Sequence, residues 1–360
     1  MKDILYLMHV EWGWIKQRPH FIAEGLSKIY NVKVVTEREY KKSDTKNPTS
    51  ISLSYIYRLP FVRFKLIRLL NLYLKKLQYI SKIKRSSIVW ITSPCFMDYI
   101  PSSAFKGKKI IYDCMDDYLE FPFQTEEQIQ TIKQNERELF NKSDIVFATS
   151  NYLKQQLLKR YGNKNIHVVN NAIKELECIK NNIELPTNFS IYKNCKKKKI
   201  VYIGTISEWF DFDLVKYILE NSDVEFFLFG PTDTNIPNIK GINHMGAIEH
   251  DFIFEVMNNA DVLIMPFIIN KLIESVNPVK LYEYIYSGKP CIAPLYGESS
   301  YFQDFVYLYN NKEECLEFIK NNNLLPKKSY KDSVEFCSEN TWNKRIEFIN
   351  EIIKNNILHD

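Results

Sequence analysis

Glycine is scarce in this chain, with ten in 360 residues. A dinucleotide-binding fold needs three of them in the pattern Gly-x-Gly-x-x-Gly directly after the first strand. Only Gly13 follows the first strand-like run, at residues 4–9, and only Gly204 follows a second such run at residues 200–203. No Gly-x-x-x-x-Gly-Lys-Ser/Thr loop is present either. The sequence therefore argues against NAD or FAD binding and excludes a P-loop nucleotidase.

Paired cysteines and long apolar runs are also missing. The seven cysteines are odd in number and scattered, without a Cys-x-x-Cys pair, which argues against a disulfide framework or a zinc module and predicts reduced thiols. No run approaches the roughly 18 apolar residues of a membrane span. The apolar run at the N-terminus is short and lacks the cleavage site of a signal peptide. We therefore expect a cytoplasmic protein without a membrane-spanning segment.

The length and the pattern of the chain predict two α/β domains. Strand-like runs alternate with helical patterns, which is typical of doubly wound parallel sheets, and 360 residues suffice for two cores. The alternation lapses in the polar stretch 172–199, which we interpret as a linker. The predicted domains are residues 1–175 and residues 198–338, and a terminal helix within 339–360 is expected to pack back on the first domain.

One segment, residues 277–293 (NPVKLYEYIYSGKPCIA), predicts a helix followed by a strand. Proline is tolerated in the first turn of a helix and glycine is favoured just past its end, so Pro278 and Gly288 bound a helix of about ten residues. Lys280 and Glu283 lie one turn apart near its N-terminus, where free N–H groups and the helix dipole favour a phosphate. The alternative is an ordinary amphipathic helix with an internal ion pair.

This segment resembles the donor-binding helix of the GT-B glycosyltransferases, in particular the family-4-type retaining group. That group has a Glu, seven residues, a second Glu and then Gly-Lys-Pro. Glu283 matches the second Glu, whereas the first position falls on Ser275 and Glu274 is displaced by one residue. A branch concerned with teichuronic acid and capsular polysaccharides is more similar, because it has Asn-Pro-x-Lys-Leu-x-Glu-Tyr there.

The resemblance implies a GT-B fold, in which two Rossmann-like domains face a central cleft and a C-terminal helix crosses back to the N-terminal domain. It also implies transfer of a sugar from a nucleotide-diphosphate sugar, with a UDP-sugar as the expected donor and no metal or other cofactor. Lys280 is then the residue that stabilises the leaving diphosphate. Residues predicted to bind the donor are Gly204, Thr205, Ser207, Asn277, Pro278, Val279, Lys280 and Glu283. The family usually has Arg and Lys near residues 204–207, and this chain has neither.

A second motif, Trp12-Gly-Trp14-Ile-Lys-Gln17-Arg18-Pro19-His20, follows the first predicted strand. Open α/β sheets bind ligands at this end of their strands, and Pro19 starts a helix whose N-terminus favours anions. A similar Trp-x-x-x-Gln-Arg-Pro-His signature occurs in the resembling branch. The alternative is a loop that packs on the second domain. Predicted acceptor-side residues are Trp12, Trp14, Gln17, Arg18, His20 and Asp113.

Carboxylates cluster after another predicted strand, in Asp113-Cys-Met-Asp116-Asp117. Such crowding raises the pKa values of neighbouring carboxyl groups and suits a general base. The resemblance favours retention of configuration, in which the leaving phosphate takes the acceptor proton. An inverting enzyme would instead use Asp116 or Asp117 as its base. The alternatives are a metal site and a structural role for the cluster. The family often has His-Asp at the position of Met115 and Asp116, so Met115 replaces the family's His.

Residues 45–97 contain no Asp or Glu and ten Lys or Arg. Within them, residues 61–77 predict a basic, apolar helix of the kind that lies on anionic membranes. Packing in the core with snorkelling lysines is one alternative; nucleic acid is disfavoured because no module for it is present. We expect a lipid-linked or oligosaccharide acceptor and a peripheral location at the inner face of the plasma membrane. A nucleotide-sugar epimerase or a silent sugar-binding protein remain open.

Overall fold

The computed structural model describes residues 2–13, 16–39, 51–122, 124–179 and 183–358. The chain divides into two compact units. The first consists of Met1–Asn170 together with Trp342–Asp360, and the second is Asn171–Thr341. Each unit is built around one parallel β-sheet. In the part of the chain described, no helix is both long and apolar enough to cross a membrane.

Short, mostly apolar segments form the strands, as the alternation of patterns predicts. The first sheet contains β1 (Asp3–Leu7), β2 (Asn31–Glu39), β3 (Ser52–Arg58), β4 (Ile88–Ile91), β5 (Lys109–Cys114), β6 (Ile145–Ala148) and β7 (Ile166–Val168). The second contains β8 (Lys198–Ile203), β9 (Val224–Phe229), β10 (Ile242–Gly246), β11 (Val262–Ile264), β12 (Cys291–Pro294) and β13 (Tyr307–Tyr309). The segments of β4 and β6 are buried along their whole length, which is typical of central strands in a sheet covered on both faces.

The helices connect these strands. They are α1 (Arg18–Ser27), α2 (Lys65–Ile83), α3 (Glu126–Lys142), α4 (Asn151–Tyr161), α5 (Ser190–Asn194), α6 (Phe212–Asn221), α7 (Ile253–Asn258), α8 (Lys271–Ser275), α9 (Val279–Tyr286), α10 (Lys312–Lys320), α11 (Tyr330–Ser338) and α12 (Trp342–Ile353). Short 3-10 turns occur at Pro94–Asp98, Ser102–Phe105, Leu176–Cys178, Thr187–Phe189, His250–Phe252 and Ser299–Phe302, and a π turn at Lys354–Leu358. Polar caps define several starts; in α3, for example, Thr125 accepts from the Gln128 N–H in a capping box.

The order of the strands places a topological switch point in each sheet. The first sheet runs β3-β2-β1-β4-β5-β6-β7 and the second runs β10-β9-β8-β11-β12-β13. All registered pairs are parallel, and Leu7 pairs with Ile91 across the β1–β4 boundary. The direction of winding reverses between β1 and β4 and between β8 and β11. Open α/β sheets bind ligands beyond the carboxyl ends of the strands at such points.

The terminal helix α12 belongs to the first unit. The ring of Trp342 stacks on Phe21 of α1, with 5.0 Å between centroids, and Ile346 lies against Gly25, where a Cβ would overlap its side chain. Glycine at residue 25 therefore lets α12 approach α1 closely.

Two predicted segments differ from the structure. The basic helix expected at residues 61–77 is α2, which begins at Lys65 and continues to Ile83; Phe61 precedes it with a φ of 65°, a conformation that an L-residue does not extend into a helix. In the stretch 172–199, interpreted above as a linker, Leu185, Phe189 and Tyr192 are buried in the core of the second unit.

Candidate functional site

Gly204 lies directly beyond β8, at the switch point of the second sheet. Its φ of 147° disfavours any side chain, and an added Cβ would overlap the side chain of Lys280. The Gly204 N–H donates to the carbonyl of Phe229 at 2.8 Å. An added Cβ at Gly230 would likewise meet the Gly204 backbone. Glycine at residue 204 therefore leaves room for the side chain of Lys280 against the backbone.

Lys280 is on the first turn of α9 and points over two aromatic rings. Its Nζ lies 5.6 Å from the centroid of Tyr202 and 5.5 Å from that of Phe267, within the range of a cation–π contact. Burial lowers the pKa of Lys280, and the negative charge of Glu283 opposes this shift. A partly desolvated ammonium gains more from binding an anion than a solvated one does, because its hydration is already lost.

The N-terminus of α9 is held in place by backbone and amide contacts. Pro278 is the N-cap of α9, and Val279 is its first helical residue. Among the described residues, no side chain hydrogen-bonds this end as a cap. The Asn277 Oδ1 accepts from the Asn171 N–H at 3.0 Å, and the Asn171 Nδ2 donates to the Asn277 carbonyl at 2.8 Å. Val279, the first helical residue, is half-buried. This end of α9 therefore has the backbone geometry of an anion site.

The other residues predicted to bind the donor lie in the loop after β8. The Thr205 carbonyl accepts from the Tyr202 hydroxyl at 2.6 Å, and Ser207 is buried, with its carbonyl accepting from the Phe210 N–H at 2.9 Å. Hydrogen bonds from Tyr202 and Phe210 therefore fix the backbone of this loop at Thr205 and Ser207. Gly204 and Lys280 touch one another, whereas a direct role for the Ser207 hydroxyl remains a prediction.

Glu283 lies one turn after Lys280 and is half-buried. Burial raises the pKa of Glu283 to about 7, and the charges of Lys280 and Lys174 lower it. Sequence reasoning missed Lys174, because it falls in the polar stretch that precedes the second unit's first strand; only the fold brings it near Glu283. Ser275 occupies the position of the family's first Glu. Its hydroxyl donates to the Leu272 carbonyl within α8, and Glu274 is half-buried on the same helix.

Arg18 and Asp113, two predicted acceptor-side residues, form a buried ion pair. The Arg18 Nη2 lies 2.8 Å from Asp113 Oδ1, its Nε lies 3.3 Å from both carboxylate oxygens, and its Nη1 donates to the Val169 carbonyl at 2.7 Å. The side chains are 5% and 0% exposed. This buried ion pair connects α1 to the end of β5 and therefore stabilises the fold of the first unit.

Asp116 and Asp117, the candidate bases, have different environments. Asp117 is buried and bidentate with Arg160, at 2.7 and 2.6 Å. Asp116 is half-buried, and burial raises its pKa to about 6; Arg18 lowers that pKa, while Asp113 and Asp117 raise it further. A carboxylate engaged by a guanidinium is a weak proton acceptor, so Asp116 is the better candidate of the two.

We expect Asp116→Asn to raise the melting temperature at pH 8 and to change it little at pH 4. The pKa of Asp116 is raised above its ordinary value of 3.8 to about 6, so the folded state holds this proton more tightly than the unfolded state does. The resulting stabilisation is present below pH 4 and is lost as the pH rises through 6. Thermal unfolding at both pH values measures it. Asp117→Asn is the control and should lower the melting temperature, because Arg160 loses its partner; a destabilised Asp116→Asn at pH 8 would contradict the assignment.

Two of the predicted acceptor-side residues near the start of α1, Trp12 and His20, are buried. Trp12 is buried against the ring of His20, with 5.1 Å between centroids, and the Gln17 N–H donates to the His20 Nδ1 at 3.1 Å. Burial lowers the pKa of His20, and backbone groups of Glu11 and Gln17 oppose this. Trp14 lies outside the described residues. Trp12, His20 and Gln17 therefore shape the start of α1.

His9, which sequence reasoning did not select, is exposed at the carboxyl end of β1. Its Nδ1 lies 2.9 Å from the Thr92 Oγ1, and burial of the ring's environment lowers its pKa to about 4, with His20 contributing. In the sequence, only its position at the end of the first strand-like run indicates that His9 could face a ligand. Among the residues described, no three His, Cys, Asp or Glu side chains are grouped as metal ligands.

Comparisons with known proteins concern the family resemblance and the fold. No protein family model matches the chain. A curated protein of Bacillus subtilis (strain 168), "Putative teichuronic acid biosynthesis glycosyltransferase TuaH", is 26% identical over 247 residues, which are 64% of this chain and 61% of that protein. The chain thus spans about three fifths of the length of this relative.

Solved structures are similar over nearly the whole chain. The sucrose-phosphate synthase of Thermosynechococcus elongatus has a TM-score of 0.77 at 10% identity, with 100% of both chains covered. Anabaena HepE in complex with UDP and glucose has a TM-score of 0.71 at 13% identity, covering 99% of this chain and 100% of that one. The predicted resemblance is confirmed, and the fold is the two-domain α/β GT-B fold.

Proposed function

We propose that this protein is a glycosyltransferase that moves a sugar from a nucleotide-diphosphate sugar, with UDP as the nucleotide, to a glycan acceptor. The observation that carries the proposal is the arrangement of Gly204 against Lys280 at the switch point of the second sheet. The Lys280 ammonium, the loop after β8 and the first turn of α9 come together there. The relative named for teichuronic acid synthesis supports a role in cell-surface polysaccharide synthesis.

In this proposal the residues of the second unit act mainly by electrostatics. Negative charge develops on the diphosphate as its bond to the sugar breaks, and Lys280 with the first N–H groups of α9 stabilises it. The aromatic rings of Tyr202 and Phe267 exclude water from one side of the ammonium and strengthen this attraction. Glu283 accepts hydrogen bonds from the ribose hydroxyls.

We propose retention of anomeric configuration, with the leaving phosphate taking the proton of the acceptor hydroxyl. No protein base is then needed, which agrees with the pairing of Asp117 by Arg160 and of Asp113 by Arg18. For an inverting reaction, Asp116 is the base that the electrostatics favour, because its raised pKa makes it the better proton acceptor.

A thermal-shift screen of UDP-, GDP- and ADP-sugars tests the proposal, since a ligand at 100 times its Kd stabilises by about 2.7 kcal/mol. We expect the UDP-sugars to raise the melting temperature and at least one of them to release UDP. Conversion of the sugar into its epimer would instead identify a nucleotide-sugar epimerase. Binding without any turnover would identify a silent sugar-binding protein.

The acceptor is proposed to be lipid-linked because α2 exposes a row of apolar side chains. Its buried face contains Asn71 and Lys75, at 5% and 9% exposure, and both are satisfied: Asn71 bonds the backbone of Leu59, and Lys75 pairs with Glu37 at 2.6 Å. Tyr79 and Ile83 are buried on the same helix, but many of its other apolar side chains face outward. The exposed apolar residues in and before α2 are Phe61, Val62, Phe64, Leu66, Leu69, Leu70, Leu72, Tyr73 and Leu77.

We call these exposed residues the α2 apolar surface. Leu66 is 78% exposed and Tyr73 60%, and the spacing of 66, 69, 70, 73 and 77 places them along one side of the helix. The basic residues Arg63, Lys65, Arg68 and Lys76 are also exposed, and no acid occurs between residues 45 and 97. Apolar and basic side chains on one helix match an anionic lipid surface. We propose peripheral binding at the inner face of the plasma membrane.

The purified protein is expected to sediment with anionic vesicles and to be released in high salt, because the attraction of its basic residues to the surface is screened. Replacing Arg63, Lys65 and Arg68 with Glu should weaken binding by up to about 1 kcal/mol per charge removed. Leu66→Ser with Leu69→Ser should weaken it at any salt concentration. Vesicle co-sedimentation measures each effect.

The matched control replaces three basic residues outside this segment, Lys327, Lys328 and Lys331, with Glu, and should bind vesicles as the wild type does. Transfer to a short soluble acceptor should survive all of these changes. Equal binding to neutral and anionic vesicles would show that charge is not the attraction, and binding to neither would refute a membrane role for the α2 apolar surface.

A further inference from the structure

The first sheet places a histidine at its own switch point. His9 lies two residues beyond β1 and Thr92 directly follows β4, the two strands between which the winding reverses. Leu7 and Ile91 are partners in the register, so the two strands end side by side. This is the position at which an open α/β sheet binds its ligand.

The hydrogen bonds of Thr92 determine which nitrogen of His9 carries the proton. The Thr92 hydroxyl has one hydrogen, which it donates to the Leu7 carbonyl at 3.0 Å. Its oxygen can then only accept, and it accepts from the His9 backbone N–H at 3.2 Å. With the hydroxyl hydrogen assigned to Leu7, the contact of 2.9 Å between the Thr92 Oγ1 and the His9 Nδ1 has Nδ1–H as its donor.

A neutral histidine with its proton on Nδ1 has an unprotonated Nε2, which is a hydrogen-bond acceptor. In the described part of the chain, no protein group hydrogen-bonds Nε2, and His9 as a whole residue is exposed on one side. The lowered pKa of about 4 keeps the ring neutral at physiological pH. His9 therefore presents a lone pair, and not a positive charge, at the ligand-binding edge of this sheet.

The ring is also fixed in position. The Tyr118 hydroxyl donates to the Thr92 carbonyl at 2.7 Å, and the Tyr118 ring packs edge-on to His9 with 6.2 Å between centroids. Thr92 itself is fully buried. A side chain held by one hydrogen bond and one aromatic contact loses little freedom when it binds a ligand.

We propose that His9 is an acceptor-binding residue, whose Nε2 accepts a hydrogen bond from a hydroxyl of the sugar acceptor. This rests on the proposed function, because a hydroxyl-rich ligand at the first sheet is what a glycosyltransferase requires. A neutral lone pair favours a hydroxyl donor and gives no attraction to a phosphate or carboxylate. The residue thus selects for an uncharged, polyhydroxylated part of the acceptor.

Two substitutions separate the two nitrogens of His9. In His9→Asn the amide nitrogen can replace Nδ1 and keep the bond to Thr92, but nothing occupies the position of Nε2. In His9→Gln the longer side chain can place its amide oxygen, an acceptor, near the position of Nε2. The probes are p-nitrophenyl glycosides of glucose, galactose and N-acetylglucosamine, with UDP present.

We expect His9→Asn to weaken binding of the glycoside that the wild type binds by about tenfold, the effect of one lost neutral hydrogen bond, and His9→Gln to recover part of it. UDP affinity and melting temperature should stay at wild-type values in both. Nitrogen-15 NMR of the wild type should show Nδ1 protonated and Nε2 unprotonated, with the Nε2 resonance shifting on addition of the glycoside.

Wild-type glycoside affinity in His9→Asn, a protonated Nε2, or a wild type that turns over its donor but binds none of the glycosides would each overturn the inference. Absence of UDP and UDP-sugar binding in the wild type is a different outcome, since it would refute the proposed glycosyltransferase function itself. The NMR result does not depend on that function, so the two failures can be told apart.

Discussion

Replacing Lys280 with methionine should lower kcat/KM for transfer by about 10²–10³-fold, the usual effect of removing one group that stabilises developing negative charge. Methionine keeps the length of the aliphatic chain, so packing over Tyr202 and Phe267 is retained and the charge alone is lost. Because burial disfavours the ammonium, the variant should unfold at or above the wild-type temperature. Steady-state kinetics and thermal unfolding measure the two effects.

A matched control is Lys271→Met, on the exposed start of α8, which should transfer as the wild type does. Glu283→Ala should raise the donor KM and change kcat less, because a ribose contact is made in both the ground and transition states. If Lys280→Met and Glu283→Ala both kept a near-wild-type kcat/KM, the second unit's donor site would be wrongly assigned.

Arg18→Met should destabilise the protein by about 3–5 kcal/mol, because it leaves the Asp113 carboxylate buried without its partner. Asp113 is completely buried, and the substitution also removes the donor to the Val169 carbonyl. The pair was predicted from sequence to face the acceptor; in the structure it connects α1 to β5. Chemical denaturation should show the loss as a lower midpoint with an unchanged slope.

The double variant Arg18→Met with Asp113→Asn is the control, because it removes both charges together. It should be more stable than Arg18→Met alone, since a buried pair replaced by neutral groups costs far less than a buried pair that is broken. An Arg18→Met variant of wild-type stability that has lost only acceptor affinity would show that Arg18 binds the acceptor directly.

Local pattern was sufficient for most of the fold. The apolar run at residues 224–229 forms β9, and the amphipathic stretch that follows Asp211 forms α6. These segments are apolar runs or capped amphipathic stretches, whose period depends only on near neighbours. The motif around Lys280 is equally local, because Pro278, Lys280 and Gly288 set the helix, its charge and its end within ten residues.

Pairings between distant residues could not be predicted in this way. Asp117 pairs with Arg160, which is 43 residues away in the sequence, and His9 contacts Thr92, which is 83 residues away. The spacing of these residues in the sequence does not indicate either pair. The order of the strands decides which ends meet, and burial then decides which carboxylates are neutralised. Asp113 and Asp117 are each paired with an arginine, whereas burial raises the pKa of Asp116.

The sequence by itself determined the α/β fold class, the position of the helix that is predicted to bind phosphate and the basic character of the region before residue 97, because composition and short-range periodicity specify them. Only the tertiary structure decided that α2 buries Asn71 and Lys75 and exposes leucines, that Lys280 covers Gly204, and that His9 presents Nε2. Each of these arrangements depends on which side chains are desolvated on folding. Desolvation of a side chain depends on its neighbours in space, which come from distant parts of the sequence.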